Sequence, residues 1–215
     1  MASPDAGRAR YALLGRWYDL VSAEPLYAPG REVAVEMIHV EPGAKVLVVG
    51  CGTGPDLPAL LAAAGPSGVV LGLDASASML GAARRRAARV GPDRVRLLRA
   101  DGQRVPAARL RDALGGPADA VLAPYSLSLM PDWRRAWATA LEAARPGAHA
   151  AVVDTTVARG ALPLRVASRA ACALGGVDVA AHPWRAVEEE LDDVRSVTLA
   201  RGHVEVRAGV LPRRT

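Results

Sequence analysis

Short apolar runs at 45–50 (KVLVVG), 69–74 (VVLGLD), 95–99 (VRLLR), 118–123 (ADAVLA) and 148–154 (AHAAVVD) are nearly continuous rather than alternating. That is the pattern of strands covered on both faces. Between them lie amphipathic stretches of helical period at 56–64, 76–90 and 132–144, with a weaker one at 107–114. Buried strands separated by helices imply right-handed crossovers and a parallel sheet. Beyond Asp154 the rhythm changes. A helix is expected over 162–174, ending at Gly175-Gly176, and another after Pro183-Trp184. Two further strand-like runs follow, 194–200 and 203–208, separated only by Arg201-Gly202. So short a link permits antiparallel pairing but no parallel crossover. The fold class is α/β and doubly wound, with helices on both faces of a mostly parallel sheet that ends in an antiparallel strand.

The first 40 residues precede any strand signal, yet they hold Tyr11, Trp17, Tyr18 and Tyr27 of a chain with only four Trp, four Tyr and no Phe. Large rings anchor a helix or line a pocket. Residues 1–40 therefore read as a helical lid or substrate segment, and 41–215 as the main body of one compact domain. With 51% apolar residues over 215 positions, the chain can bury a core large enough to offset backbone entropy, which excludes a disordered protein. No apolar run approaches the roughly 20 residues that a bilayer requires, and the start, MASPDAGRARYALLG, lacks the apolar stretch of a secretory signal. A cytoplasmic location is the expectation. Cys51 and Cys172 are too few and too far apart for a disulfide framework or a zinc site, so no metal is expected. The formal charge is +5, and Lys45 is the only lysine among 27 cationic residues. The dense patch Arg84, Arg85, Arg86 and Arg89 reads as a solvated helix face, with an anionic membrane surface as the competing partner. Nothing resembling a base-reading motif accompanies it, so nucleic acid is not expected.

The sharpest local signal is VLVVGCGTG at 46–54, a buried strand running into Gly50-Cys51-Gly52-Thr53-Gly54 and then a helix. Glycines there allow a tight turn and close approach of a ligand to the backbone, while the helix start offers N–H groups. Pro55 stands where a dinucleotide fingerprint needs its third glycine, which disfavours NAD, and no Gly-Lys-Ser/Thr follows to cradle a triphosphate. Asp74 closes the second strand in GLDASASML, where a carboxylate can accept hydrogen bonds from two ribose hydroxyls. Its competing role is a helix cap, for which Ser76 is also well placed. Asp101-Gly102, after the third strand, can face an adenine amino group or merely form a turn. His39, His149, His182 and His203 are isolated in the sequence and read as structural, His39 being the exception because of its place near the possible lid. Cys51 lacks an adjacent base, and small size is what its place in the turn requires.

With these residues in hand, the chain resembles the class I S-adenosylmethionine-dependent methyltransferases, of the type 11 or UbiE-like kind. The likeness runs through Gly50, Gly52 and Gly54, Asp74 with Met79, Asp101-Gly102, the strand ADAVLAPYSL and the stretch WRRAWATALEAARPGAHAAVVD. It implies a Rossmann-like seven-stranded sheet and S-adenosylmethionine as cofactor. Tyr18, Arg31, Gly50, Cys51, Gly52, Gly54, Asp74, Ala75, Met79, Asp101, Gly102 and Tyr125 would then bind it. Within that family, YDLVSAEPLYAPGREVAVEMIHVEPGAKVL and YSLSLMPDWRRAW look like small bacterial enzymes that methylate phosphatidylethanolamine or betaine-lipid head groups. One departure stands out: the family places Asp or Glu two residues before the first motif glycine, and here that residue is Val48. The implied reaction is in-line attack on a sulfonium methyl by an acceptor, most simply an amine nitrogen. Alignment and exclusion of water account for much of such a rate. Tyr18, Tyr125 and Asp154 are the candidate catalytic residues, and Arg31, taken to start the helix before the first strand, would pair with the cofactor's carboxylate. Two alternatives stay open, a non-methylating reaction such as cyclisation on the same scaffold and a non-catalytic membrane-surface or partner protein.

Overall fold

The central apolar runs become strands because they are buried on both faces, and their alternate residues feed two separate cores. In the computed structural model, which describes residues 24–213, strand β1 (Lys45–Val49) points Leu47 and Val49 to one face and Val46 and Val48 to the other. Helix α1 (Glu24–Met37) comes first, then β1, α2 (Leu57–Ala64), β2 (Val69–Asp74), α3 (Ala77–Val90), β3 (Val95–Arg99), α4 (Ala107–Leu114) and β4 (Ala118–Pro124). A 3-10 turn (Leu127–Leu129) leads to α5 (Trp133–Glu142) and the long β5 (Ala144–Thr155). The chain finishes with α6 (Leu162–Gly175), α7 (Arg185–Glu190), β6 (Asp192–Leu199) and β7 (Val204–Val210).

The seven strands lie in the order β3-β2-β1-β4-β5-β7-β6. The first five are parallel; β7 runs antiparallel to both its neighbours, β5 and β6. The last strand of the chain is thus the antiparallel one, and it is inserted between β5 and β6. Helices α4, α5 and α7 cover one face through Leu110, Leu114, Trp137 and Val187, and α1, α2 and α3 cover the other through Ala34, Met37, Leu57, Leu60, Leu61, Leu80 and Ala83. Strand order reverses between β1 and β4, and in open α/β sheets the crevice at the carboxyl ends beside such a reversal is the ligand site.

Helix α1 holds Pro29 and Gly30 in its interior, both poor helix formers, so packing rather than propensity fixes it. Gly30 is pressed so close to the sheet that a Cβ there would lie 2.2 Å from the Tyr125 hydroxyl and 2.8 Å from Val204. Helix α6 is the opposite case: only Ser168 and Cys172 are buried, while Leu162, Val166 and Leu174 stand open. No helix among the described residues is long and apolar enough to cross a membrane.

Candidate functional site

The glycine turn after β1 has the backbone that its sequence promises. Gly50, Gly52 and Gly54 all have positive φ, 69°, 54° and 75°, which L side chains rarely adopt. Two of them are also packed against protein: a Cβ on Gly50 would lie 2.3 Å from Ser126, and one on Gly54 would lie 2.5 Å from Leu57. Gly52 differs, because a Cβ there would meet nothing within 4 Å. Its open side is a cradle with no protein atom to fill it. The Gly52 N–H donates to Asp74 Oδ2 at 2.9 Å and the Ser76 N–H to Oδ1 at 2.8 Å, so the carboxylate at the tip of β2 stands beside that open side. Burial raises the Asp74 pKa above its usual value, and these two backbone hydrogen bonds work against the shift. Ser76, not Asp74, caps α3, accepting from the Met79 N–H.

Other members of the expected cofactor set are placed as follows. Cys51 turns its thiol inward against Gly72, 2% exposed, and burial pushes the thiol pKa up, so only its backbone can serve the site. Met79 is likewise buried, whereas Ala75 is exposed. Asp101 spends Oδ1 on the Gln103 backbone and side-chain nitrogens, at 3.0 and 2.9 Å, which is a turn geometry, with Gly102 buried behind it. Gln103 in turn accepts from the Asp132 N–H, tying the β3 and β4 loops together. Tyr18, with Tyr11 and Trp17, lies outside the described residues.

Arg31 requires a correction. It lies within α1, not at its start, and its guanidinium meets Asp56 at 3.1 Å with side-chain exposures of 10% and 4%. The expected partner for a cofactor carboxylate is therefore engaged with a protein carboxylate at the foot of α2. Val48 is 1% exposed and packs in the apolar layer on that sheet face. The buried acid that the resembled family carries at this strand position is absent, and Asp56 supplies one eight positions later.

Tyr125 follows β4 with a strained φ of 50°. Its hydroxyl donates to the Tyr27 carbonyl at 2.9 Å, the Tyr27 ring lies 5.2 Å away and Arg31 sits 5.9 Å above its face. Burial raises its pKa, so it stays a neutral phenol. Asp154 is the second correction. It does not face the crevice: it is 0% exposed and accepts from the Ser128 N–H at 3.0 Å, the Ser128 hydroxyl at 2.6 Å and the Thr155 N–H at 2.8 Å. Burial raises its pKa to about 6, and its work is to hold the turn after β4.

Two side chains that isolated motifs did not single out serve this end of the sheet from separate places. His203 turns Nδ1 to the Thr156 carbonyl, so that nitrogen carries the proton, and Nε2 faces the Tyr27 hydroxyl at 3.4 Å. Only the insertion of β7 beside β5 brings His203 to α1, and no local pattern announces it. Arg86, read as part of a solvated patch, instead reaches in to the Thr53 carbonyl at 2.7 Å and steadies the glycine turn.

Comparison with known proteins covers the same region. Residues 46–147 match the family model described as a methyltransferase domain. A demethylmenaquinone methyltransferase from Bacillus cytotoxicus is 29% identical over 126 residues, 59% of this chain and 51% of that protein. The chain spans between 16% and 52% of the length of the curated relatives it matches. Among solved structures, the N-methyltransferase NodS from Bradyrhizobium japonicum superposes with a TM-score of 0.62 at 15% identity, covering 89% of this chain and 99% of that one. The cyclase SpnF superposes with a TM-score of 0.63 at 17% identity, covering 95% and 97%. At these identities the structures establish a shared fold.

Proposed function

We propose that the chain is a class I S-adenosylmethionine-dependent methyltransferase, a reading that the match of residues 46–147 to a methyltransferase domain supports, and that it transfers a methyl group to a small-molecule or lipid head-group nucleophile, most simply an amine nitrogen. The observation that carries the reading is the open side of Gly52 beside the Asp74 carboxylate. A cofactor with a ribose and a sulfonium fits there. Asp74 would hold the ribose hydroxyls, the backbone of residues 50–54 the amino-acid end, and the Asp101-Gly102 turn with Ala75 and Met79 the adenine side. When bound, S-adenosylmethionine supplies an activated methyl group and a leaving group that departs neutral.

The chain's own residues then have orienting and proton-handling work. The Tyr125 proton is committed to the Tyr27 carbonyl, but its oxygen retains lone pairs and would accept an N–H of the incoming amine. Aromatic faces of Tyr27 and Tyr125 suit a cationic acceptor. His203 Nε2, its tautomer fixed by the Thr156 carbonyl, would take a proton through the Tyr27 hydroxyl. Residues 1–40, Tyr18 included, are proposed to form the covering segment, and the support is α1, which crosses strands β5 and β7 and pins Tyr125.

Calorimetric titration with S-adenosylmethionine and S-adenosylhomocysteine, with NADH as control, tests the cofactor reading. Micromolar binding of either sulfur ligand is expected, with at least a tenfold loss in Asp74→Ala; silence for both ligands would sink it. Labelled methyl carried into an acceptor separates methyl transfer from the second reading, cyclisation, which Val48 and the likeness to SpnF favour. A cytoplasmic, membrane-surface protein is the setting we propose, since α6 exposes Leu162, Val166 and Leu174 beside Arg165 and Arg169.

A further inference from the structure

Past the carboxyl end of β5, on the same end of the sheet as the glycine turn, lies a cavity of about 360 Å³ that neither the cofactor residues nor the tyrosines use. Thr156 and Gly202 border it, placing it over the junction of β5 and β7. Its wall is ionic: Arg159, Arg185 and Arg207 face Glu188 and Glu205, with His182 beside them.

The charges are not evenly matched. Glu205, 2% exposed, accepts from Arg207 at 3.0 Å and from the Thr198 hydroxyl at 2.7 Å. Glu188 takes the other arm of Arg207 at 2.6 Å. One half-buried arginine thus serves both carboxylates. Arg159 adds only a looser 3.4 Å contact to Glu205 and is 78% exposed. Arg185 has no ion-pair partner among the described residues. Two guanidinium groups, each with five donors in a planar fork, therefore border a polar cavity whose acids are already neutralised. A cation would meet this surplus as repulsion, and an apolar group would strip water from it without return.

We propose that this cavity is the subsite for an oxyanion, a phosphate or carboxylate, carried by the methyl acceptor. The proposal rests on the methyl-transfer reading and adds the class of acceptor: one molecule bearing both a nucleophile and an anionic group. The strand geometry agrees with such a molecule. Adjacent strands are about 4.8 Å apart, so the end of β4, where Tyr125 sits, and the start of β7 are separated by about 10 Å. Arg207 and Glu205 point to the opposite sheet face from Tyr27 and Tyr125, so an acceptor that reaches both must carry its nucleophile and its oxyanion about 10 Å apart and pass over the end of β5.

The test uses the full chain at low salt and the charge-removing pair Arg159→Gln with Arg185→Gln, both exposed positions whose change leaves the Arg207–Glu205 contact intact. Inorganic phosphate, O-phosphoethanolamine and phosphatidylethanolamine vesicles are titrated in parallel with S-adenosylhomocysteine. The expected result is saturable phosphate and phosphomonoester binding that weakens at least tenfold in the double variant, while S-adenosylhomocysteine affinity stays within about twofold. Vesicle binding that the double variant loses places the oxyanion in a lipid head group; phosphomonoester binding without vesicle binding places it in a free metabolite, and either supports the subsite. Phosphate binding that is absent, or equal in parent and double variant, overturns it. Phosphate binding with no response to S-adenosylhomocysteine would instead remove the methyl-transfer reading and leave the subsite standing.

Discussion

Gly52 and Gly30 are both glycines beside the crevice, and they make opposite predictions. At Gly52 a Cβ meets no protein atom, so Gly52→Ala should cost only the penalty of its left-handed backbone, about 1–2 kcal/mol. It should nonetheless lower S-adenosylhomocysteine affinity more than tenfold, because the methyl group enters the ligand's space. At Gly30 the Cβ collides with Tyr125 and Val204. Gly30→Ala should overpack the α1 contact, cost about 1–3 kcal/mol in urea unfolding, and disturb Tyr125 with it. If Gly52→Ala binds the ligand as the parent does, the cradle is misassigned. Asp154 offers a pH test. Its folded pKa is raised from 3.8 to about 6, so between those values the native state holds a proton that the unfolded chain has released. Its contribution to stability therefore falls as pH rises through that window, by on the order of 3 kcal/mol. In Asp154→Asn no such proton exists. The unfolding free energy of the variant relative to the parent should therefore improve from pH 4 to pH 7, and a difference that is flat with pH would contradict the assignment. At this scale the sequence disclosed Gly50, Gly52 and Asp74, whose roles are local. It misplaced Asp154, because the end of a strand is visible in sequence whereas the three donors that enclose the carboxylate come from folding.

Strands and most helices were legible because burial on two faces leaves continuous apolar runs, and one-sided burial leaves a helical period. Two features were not. Helix α1 carries Pro29 and Gly30, residues that signal a break, and it exists because its apolar face meets β5 and β7. Several arginines outside the dense patch serve helix ends. Arg94 donates to the Gly65 carbonyl after α2, Arg96 to Ala113 in the last turn of α4, and Arg111 to Glu142 at the end of α5. Cations at helix C-termini gain from the dipole and from the unpaired carbonyls, so this use of charge depends on which helix end lies nearby. The Arg31–Asp56 pair makes the corresponding prediction for α1. It is buried and joins α1 to the start of α2. Arg31→Met should cost about 3–5 kcal/mol, the usual loss when one member of a buried pair is removed. The double change Arg31→Met with Asp56→Leu should recover most of it. A single variant as stable as the parent would mean that packing alone holds α1, and the lid reading would lose its tether.

For the whole molecule, the parallel half of the sheet carries the glycine turn and Asp74, while the β5–β7 junction carries His203 and the arginine-lined cavity. The first half is marked by short motifs, which is why it could be read from sequence. The second is assembled by inserting the last strand between two earlier ones, and residues such as Arg159 and Arg185 acquire a common purpose only through that insertion. The division predicts separable effects on heat stability. A ligand that binds only the folded state stabilises it by about 2.7 kcal/mol at a hundredfold excess over Kd, which for a chain of this length corresponds to a rise in Tm of about 5–10 °C. Saturating S-adenosylhomocysteine should produce that rise in the parent and in the Arg159→Gln, Arg185→Gln double variant. In Asp74→Ala at the same ligand concentration, a tenfold weaker Kd should reduce the stabilisation by about 1.4 kcal/mol. Should the double variant instead lose the shift while Asp74→Ala keeps it, the cofactor would belong over the β5–β7 junction, and the two halves of the site would have to be exchanged.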